Sequence, residues 1–286
     1  MSHPENEGGT SAPTIGVFDS GFGGLTVLRA LLQRLPRARF VFLGDTARLP
    51  YGSKSQRTIA RYAAQSARFL VNEQGAEFLV IACNTASALA LDAIEAAVPV
   101  PVLGVIEPGA ETARQASRTG DVLVIATAAT VESHAYAAAC HARGLRALEK
   151  ACPLLVPLVE EGWTDHPVTA QVVEIYLDEL KAAAAAQRLK PDTLVLGCTH
   201  YPLLRPLIER AVPAGVRVID SAEAAAVAAV RLFNGRAAAS ATEGPRPATG
   251  EQIRCFATDS VAKFERLGSG FLGRPVGTVE LVDLGG

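Results

Sequence analysis

Short apolar runs alternate with stretches of helical spacing along most of this chain. The runs are Thr14–Phe18, Arg39–Leu43, Phe78–Ala82, Val100–Ile106, Asp121–Ala126, Thr193–Leu196 and Val216–Ile219. Most are nearly continuous Val, Ile and Leu, as expected of parallel strands buried on both faces. Between two of them Ile59, Tyr62, Ala63, Ser66, Phe69 and Leu70 share one helical face. Ser55 is placed to cap that helix and Gly75 to stop it. The alternation predicts an α/β fold with a largely parallel sheet. Residues 1–13 read as a disordered tail, and the small, Pro/Gly-rich stretch 234–250 reads as a surface loop.

The strands also match in pairs. TIGVFDS (14–20) matches DVLVIAT (121–127), and RFVFLGD (39–45) falls about where RALEKAC (146–152) does. FLVIACNT (78–85) matches TLVLGCTH (193–200), and PVLGVIE (101–107) has a partner in VRVIDSA (216–222). This predicts two similar α/β lobes, each a mostly parallel sheet flanked by helices. A pseudo-two-fold duplication relates them, with the active site between them. The expected division joins 14–107 with 220–286 as the first lobe and leaves 108–219 as the second. Strands at such intervals also occur in α/β chains without duplication.

The length of 286 residues allows one to two domains. A hydrophobic share of 49% with 20% charged residues excludes an intrinsically disordered chain. The net charge of −2 argues against a nucleic-acid or membrane-surface binder working by bulk charge. The N-terminus has neither a basic n-region nor an apolar h-region, so no secretory signal is expected. The longest uncharged stretches, Phe78–Leu91 and Ala96–Ile106, are too short or too polar to cross a membrane. Five cysteines are few and odd in number, so reduced thiols in a cytoplasmic protein are expected rather than a disulfide framework.

In open α/β sheets ligands sit at the carboxyl ends of strands. The polar residues there are Asp19-Ser20, Gly44-Asp45, Cys83-Asn84-Thr85, Glu107, Thr127 to Thr130, Cys198-Thr199-His200 and Asp220-Ser221. Cys83 and Cys198 occupy matched positions, each before a helix start. Asn84-Thr85 is read as the cap of one helix, and Pro202 suits the first turn of the other. A thiol at a helix N-terminus has its pKa lowered, and Asp19 and His200 are candidate proton acceptors. A lone cysteine is more often a buried structural residue; two at matched positions are not. Cys140 (mid-helix), Cys152 (before Pro153) and Cys255 (in the tail) are read as structural. Metal-ligand spacing such as CxxC, HxxxH or HExxH is absent, so no metal site is expected.

The loop Asp19-Ser20-Gly21-Phe22-Gly23-Gly24 suits an anion at free N–H groups, or simply a strand-to-helix turn. Thr26 stands where a dinucleotide fingerprint needs its third glycine, and no Walker lysine follows. Pro50-Tyr51-Gly52-Ser53-Lys54 reads as a flap over the ligand or as an ordinary turn. Ser133, His134 and His141 read as surface residues on an Ala-rich helix face.

The strings GVFDSGFGGLTVL, GDTARLPYGSKS, ACNTAS, GVIEPGA, CPLLVPLVEEG and GCTHYPLL occur in order across 16–206. Together, and with FERLGSGFLGRPVGTVELVDL near the C-terminus, they closely resemble bacterial glutamate racemase, of the aspartate/glutamate racemase family. The resemblance implies cofactor-independent racemisation of glutamate by Cys83 and Cys198 as the acid/base pair. It implies that Asp19, Ser20, Tyr51, Gly52, Asn84, Thr85, Thr130, Thr199 and His200 bind substrate. Asp19 and His200 would assist the thiols, and Glu160 of PLVEEG, rather than Glu161, would stand near the second cysteine. It also implies a homodimer acting on a small-molecule substrate; the net charge and the short apolar stretches already argue against nucleic-acid and membrane partners. The alternatives are racemisation of aspartate or a hydantoin, a two-lobed binding protein without turnover, and a nucleotide-binding oxidoreductase.

Overall fold

A computed structural model describes residues 13–237 and 252–285. The expected tail, but for Pro13, and the expected loop beyond 237 therefore lie outside the described residues. Two all-parallel sheets organise the chain. The first contains β1 (Thr14–Asp19), β2 (Arg39–Gly44), β3 (Phe78–Ile81), β4 (Val102–Gly104), β9 (Ile253–Ala257) and β10 (Val279–Leu281), in the order β10-β9-β2-β1-β3-β4. The second contains β5 (Asp121–Ala126), β6 (Arg146–Ala151), β7 (Thr193–Gly197) and β8 (Arg217–Asp220), in the order β6-β5-β7-β8. The run β2-β1-β3-β4 therefore repeats as β6-β5-β7-β8, as the paired strings predict.

The central strands are buried along their whole length. Every residue of β1, β3, β5 and β7 is buried, because helices cover both faces. The helix Gln56–Arg68 buries Ile59, Ala63 and Ser66, starts at Ser55 and continues as a π turn over Phe69–Glu73. Gly75 then turns the chain at φ 69°. The helix Ser221–Ala237 packs on Leu25–Arg34 of the first lobe and on Ile106–Ala116, which itself lies against β7 of the second sheet. It ties the lobes together.

The structure corrects several expectations. The strand expected over Val100–Ile106 is only three residues long, since prolines at 99 and 101 cannot donate ladder hydrogen bonds. The backbone expected to loop from 234 stays helical to Ala237. Cys255 is a buried residue of β9, not part of a tail. Ser133 and His134 lie between two helices rather than on a helix face, with His134 at φ 55°.

Candidate active site

In each sheet the strand order reverses beside the central strand, between β1 and β3 and between β5 and β7. Chains leaving these strands diverge to opposite faces and open a crevice at the carboxyl ends. Cys83 follows β3 and Cys198 follows β7, so both candidate thiols stand at these switch points. Both are free and buried, each with 5% of its surface exposed.

Cys83 is itself the N-cap of the helix Asn84–Leu89: its sulfur accepts from the Ala86 N–H at 3.4 Å. The cap expected at Asn84-Thr85 is thus the thiol, one residue earlier, which frees both polar side chains. Cys83 Sγ donates to Ser20 Oγ at 3.4 Å. Burial first, and then the nearby Asp19 carboxylate, push this thiol up to about 12. The helix start alone would lower it, as the sequence predicts; burial wins.

The second thiol has a different neighbour. Cys198 Sγ lies 3.9 Å from His200 Nδ1, and His200 Nε2 lies 3.3 Å from Glu160 Oε1. Burial opposes a charge on His200, but its hydrogen bonds to Cys198 and Glu160 outweigh that and raise the imidazole to about 10. His200 is walled by Phe22 and Phe271, with ring centroids 6.2 and 5.0 Å away. Glu160, at the end of the helix Leu155–Glu160, also meets Lys263 Nζ at 3.1 Å. Burial raises its pKa, but His200 and Lys263 together take it below the usual carboxylate range. Of the adjacent pair it is Glu160 that meets His200.

Asp19 ends β1 and is buried. Its Oδ2 accepts from the Gly21 N–H at 3.0 Å, so this N–H of the glycine loop serves the protein's own carboxylate rather than a free anion. Burial raises its pKa, against the opposing charge of His200 and the loop N–H groups. Its Oδ1 is buried without a partner, as is Asn84 Nδ2. One unpaired acceptor and one unpaired donor are thus enclosed beside Cys83. Such groups are costly unless a ligand meets them.

Three hydroxyls join the lobes. Thr85 Oγ1 lies 3.1 Å from Thr127 Oγ1 and 3.4 Å from Thr130 Oγ1, and Thr127 and Thr130 are 2.9 Å apart. Thr199 Oγ1 is 3.4 Å from His200 Nδ1, and its carbonyl accepts from Thr26 Oγ1 at 3.1 Å. Tyr51 belongs to a single turn, Tyr51–Ser53, after a cis Leu49–Pro50 bond, and its hydroxyl donates to Asp45 Oδ2 at 2.6 Å. The stretch is therefore a turn pinned by a buried side chain. Gly52 lines a cavity of about 560 Å³ with Ser53, Lys54, Leu89, Ala129 and Glu132.

Three contributors have no role assigned from the sequence. Tyr136 donates to Asn84 Oδ1 at 2.7 Å and fixes which face of that amide points outward. Asp45 holds Tyr51, and Thr127 completes the hydroxyl cluster. Asp45 and Thr127 follow strands and were visible as strand-end polar residues; Tyr136, in an Ala-rich helix, carried no signal. Among the described residues no cluster of three or more His, Cys, Asp or Glu has the arrangement of a metal site.

The family model for Asp/Glu/Hydantoin racemase matches residues 15–229. The glutamate racemase of Koribacter versatilis (strain Ellin345) is 56% identical over 96% of this chain and 98% of its own. Among solved structures, the glutamate racemase isoform RacE1 of Bacillus anthracis is 35% identical with a TM-score of 0.84, covering 96% of this chain and 98% of its own. The glutamate racemase of Francisella tularensis subsp. tularensis SCHU S4, solved with D-glutamate, is 34% identical with a TM-score of 0.82 over the same shares. With its repeated sheets and its paired thiols at the two switch points, the chain belongs to the Asp/Glu/Hydantoin racemase family.

Proposed function

We propose that this protein interconverts L- and D-glutamate without a cofactor, moving the α-proton between Cys83 and Cys198 across a cleft between the lobes 14–107 with 220–286 and 108–219. The carrying observation is that β3 and β7, equivalent strands of the repeat, each end at a buried free thiol, with a different proton partner beside each. Inversion removes a proton from one face of Cα and returns one to the other, which two groups on opposite sides achieve directly. In a closed, occupied site the sulfurs stand about 6–8 Å apart, each roughly 3–3.5 Å from Cα.

A thiolate takes the α-proton, the electron pair stays on the substrate, and the opposite thiol delivers its proton to the other face. Cys83, held as a thiol, is placed as the donor; Cys198, with the His200 imidazolium 3.9 Å from its sulfur, is placed as the base. The free Asp19 Oδ1 suits the substrate ammonium, and Asn84 Nδ2 with the Thr85, Thr127 and Thr130 hydroxyls suits the α-carboxylate. Donors there stabilise the charge that the carboxylate gathers as the carbanion forms. Ser20, Tyr51, Gly52 and Thr199 complete the binding shell. The bound D-glutamate of the Francisella relative supports this substrate over aspartate or a hydantoin. The reading includes a cytoplasmic homodimer supplying D-glutamate for peptidoglycan.

Single serine variants test it. Cys83→Ser and Cys198→Ser should each lose racemisation by several orders of magnitude, since serine is a far poorer base than a thiolate. Each retains one thiol and should still eliminate HCl from one enantiomer of 3-chloroglutamate. By family resemblance Cys83 serves the D and Cys198 the L form. Near-normal racemisation by either variant, or one shared enantiomer preference, would sink the two-thiol assignment.

A further inference from the structure

From the contact between Lys263 and Glu160 we infer that Lys263 is a positioning residue for the Cys198 half of the reaction: it reaches across the lobe seam and holds the carboxylate that orients His200. Lys263 lies in the first turn of the helix Val261–Leu272, which packs on Leu25–Arg34 and β10 of the first lobe. Glu160 belongs to the second lobe, 103 positions away in sequence. One carboxylate oxygen faces Lys263 Nζ at 3.1 Å and the other faces His200 Nε2 at 3.3 Å. The carboxylate is thus fixed at both oxygens, and it cannot turn from His200 without leaving the lysine. The lysine is itself guided, with its Nζ 5.6 Å from the Phe22 ring centroid, and Phe22 is one of the two rings against His200.

The pair is not placed to add much stability. The Lys263 side chain is 44% exposed and that of Glu160 20%. Exposed ion pairs of this kind contribute little because water screens them and long side chains must be ordered. What the contact supplies is geometry at a buried imidazole beside one thiol. Cys83, whose sulfur accepts from the Ala86 N–H and donates to Ser20, makes no contact with this network. The effect is therefore one-sided, which a loss of general structure is not.

Racemisation alone does not reveal a one-sided effect. The equilibrium constant between enantiomers is one, so kcat/KM falls equally in both directions whichever half is damaged. Elimination separates the halves: a thiolate takes the α-proton, chloride departs with the C–Cl pair, and the dehydro acid hydrolyses to 2-oxoglutarate and ammonium. This role rests on the two-thiol reading above, and the cysteine variants first identify which 3-chloroglutamate enantiomer depends on Cys198. Lys263→Met should slow elimination from that enantiomer about tenfold, the scale of a small misplacement, and leave the other unchanged. Lys263→Arg, which keeps the charge and the reach, should restore most of it. Equal loss with both enantiomers, no loss with either, or no rescue by arginine overturns the role of Lys263. Wild-type protein that eliminates from neither enantiomer overturns the two-thiol reading, and this role with it.

Discussion

His200 is buried, and burial alone would keep its imidazole neutral. Contacts at both ring nitrogens reverse that, so the folded protein holds the ring charged up to about pH 10. The sign for stability follows. The folded pKa lies above the unfolded value near 6.5, so the contribution is full below about pH 6.5 and is lost as pH rises through about 10. Activity that needs the charged ring fails over the same alkaline limb. Glu160→Gln keeps an oxygen to accept the His200 proton but removes the charge that favours it. The alkaline limb of kcat/KM should then move down by roughly one pH unit or more, with little change near pH 7. A pH–rate profile of the two proteins checks this, and an unmoved limb would show that Glu160 does not set the charge of His200.

At the scale of elements, the loop between β1 and the helix Leu25–Arg34 lies against the turn after β7. A Cβ on Gly23 would stand 2.4 Å from Thr199 Oγ1 and 2.6 Å from His200 Cε1. Glycine is needed there for closeness, and an added methyl must push Thr199 and His200 aside. Gly23→Ala should lower kcat/KM about a hundredfold while the fold survives, measured by steady-state kinetics beside circular dichroism. Closeness of this kind is invisible in the sequence, where the glycines offer only a turn. The buried strands were legible, because covering both faces leaves a continuous apolar run. β6 was legible only through its match to β2, since it is an edge strand with half-exposed residues. β9 and β10 are not legible as strands in the sequence. β10 has three residues with two exposed, so it carries almost no pattern. Both cysteines, Asp19 and His200 stood out at strand ends; Tyr136 and Lys263 did not, because they act through contacts 52 and 103 residues away.

For the molecule as a whole, the candidate groups come from both lobes. Asp19, Asn84 and Thr85 lie on one side and Thr130, Thr199 and His200 on the other, so a ligand bridging them binds the assembled pair better than either lobe. Glutamate at a hundred times its Kd should add about 2.7 kcal/mol and raise Tm by about 5 °C or more. Cys83→Ser should keep most of that shift, since recognition uses the neighbours of the thiol rather than the thiol. Thermal melts with and without D-glutamate test this; no shift in the wild type would argue against a bridging site. No helix among the described residues is long and apolar enough to cross a membrane.

The lobes repeat in strand order, yet only the second thiol has an imidazole beside it. On the proposed mechanism this gives the free protein a memory. A molecule that has just turned L-glutamate into D-glutamate has moved one proton: Cys198 now carries it, and Cys83 is bare beside the Asp19 carboxylate. That is not the form that received the L enantiomer. It is suited to the reverse reaction, and it holds a charge that both burial and the Asp19 carboxylate oppose. Before the next L-glutamate can react, the proton must return through water or through a D enantiomer run backwards. Repeated net conversion in one direction therefore includes a silent step with no substrate bound, and the protein between turnovers records the handedness of what it last released.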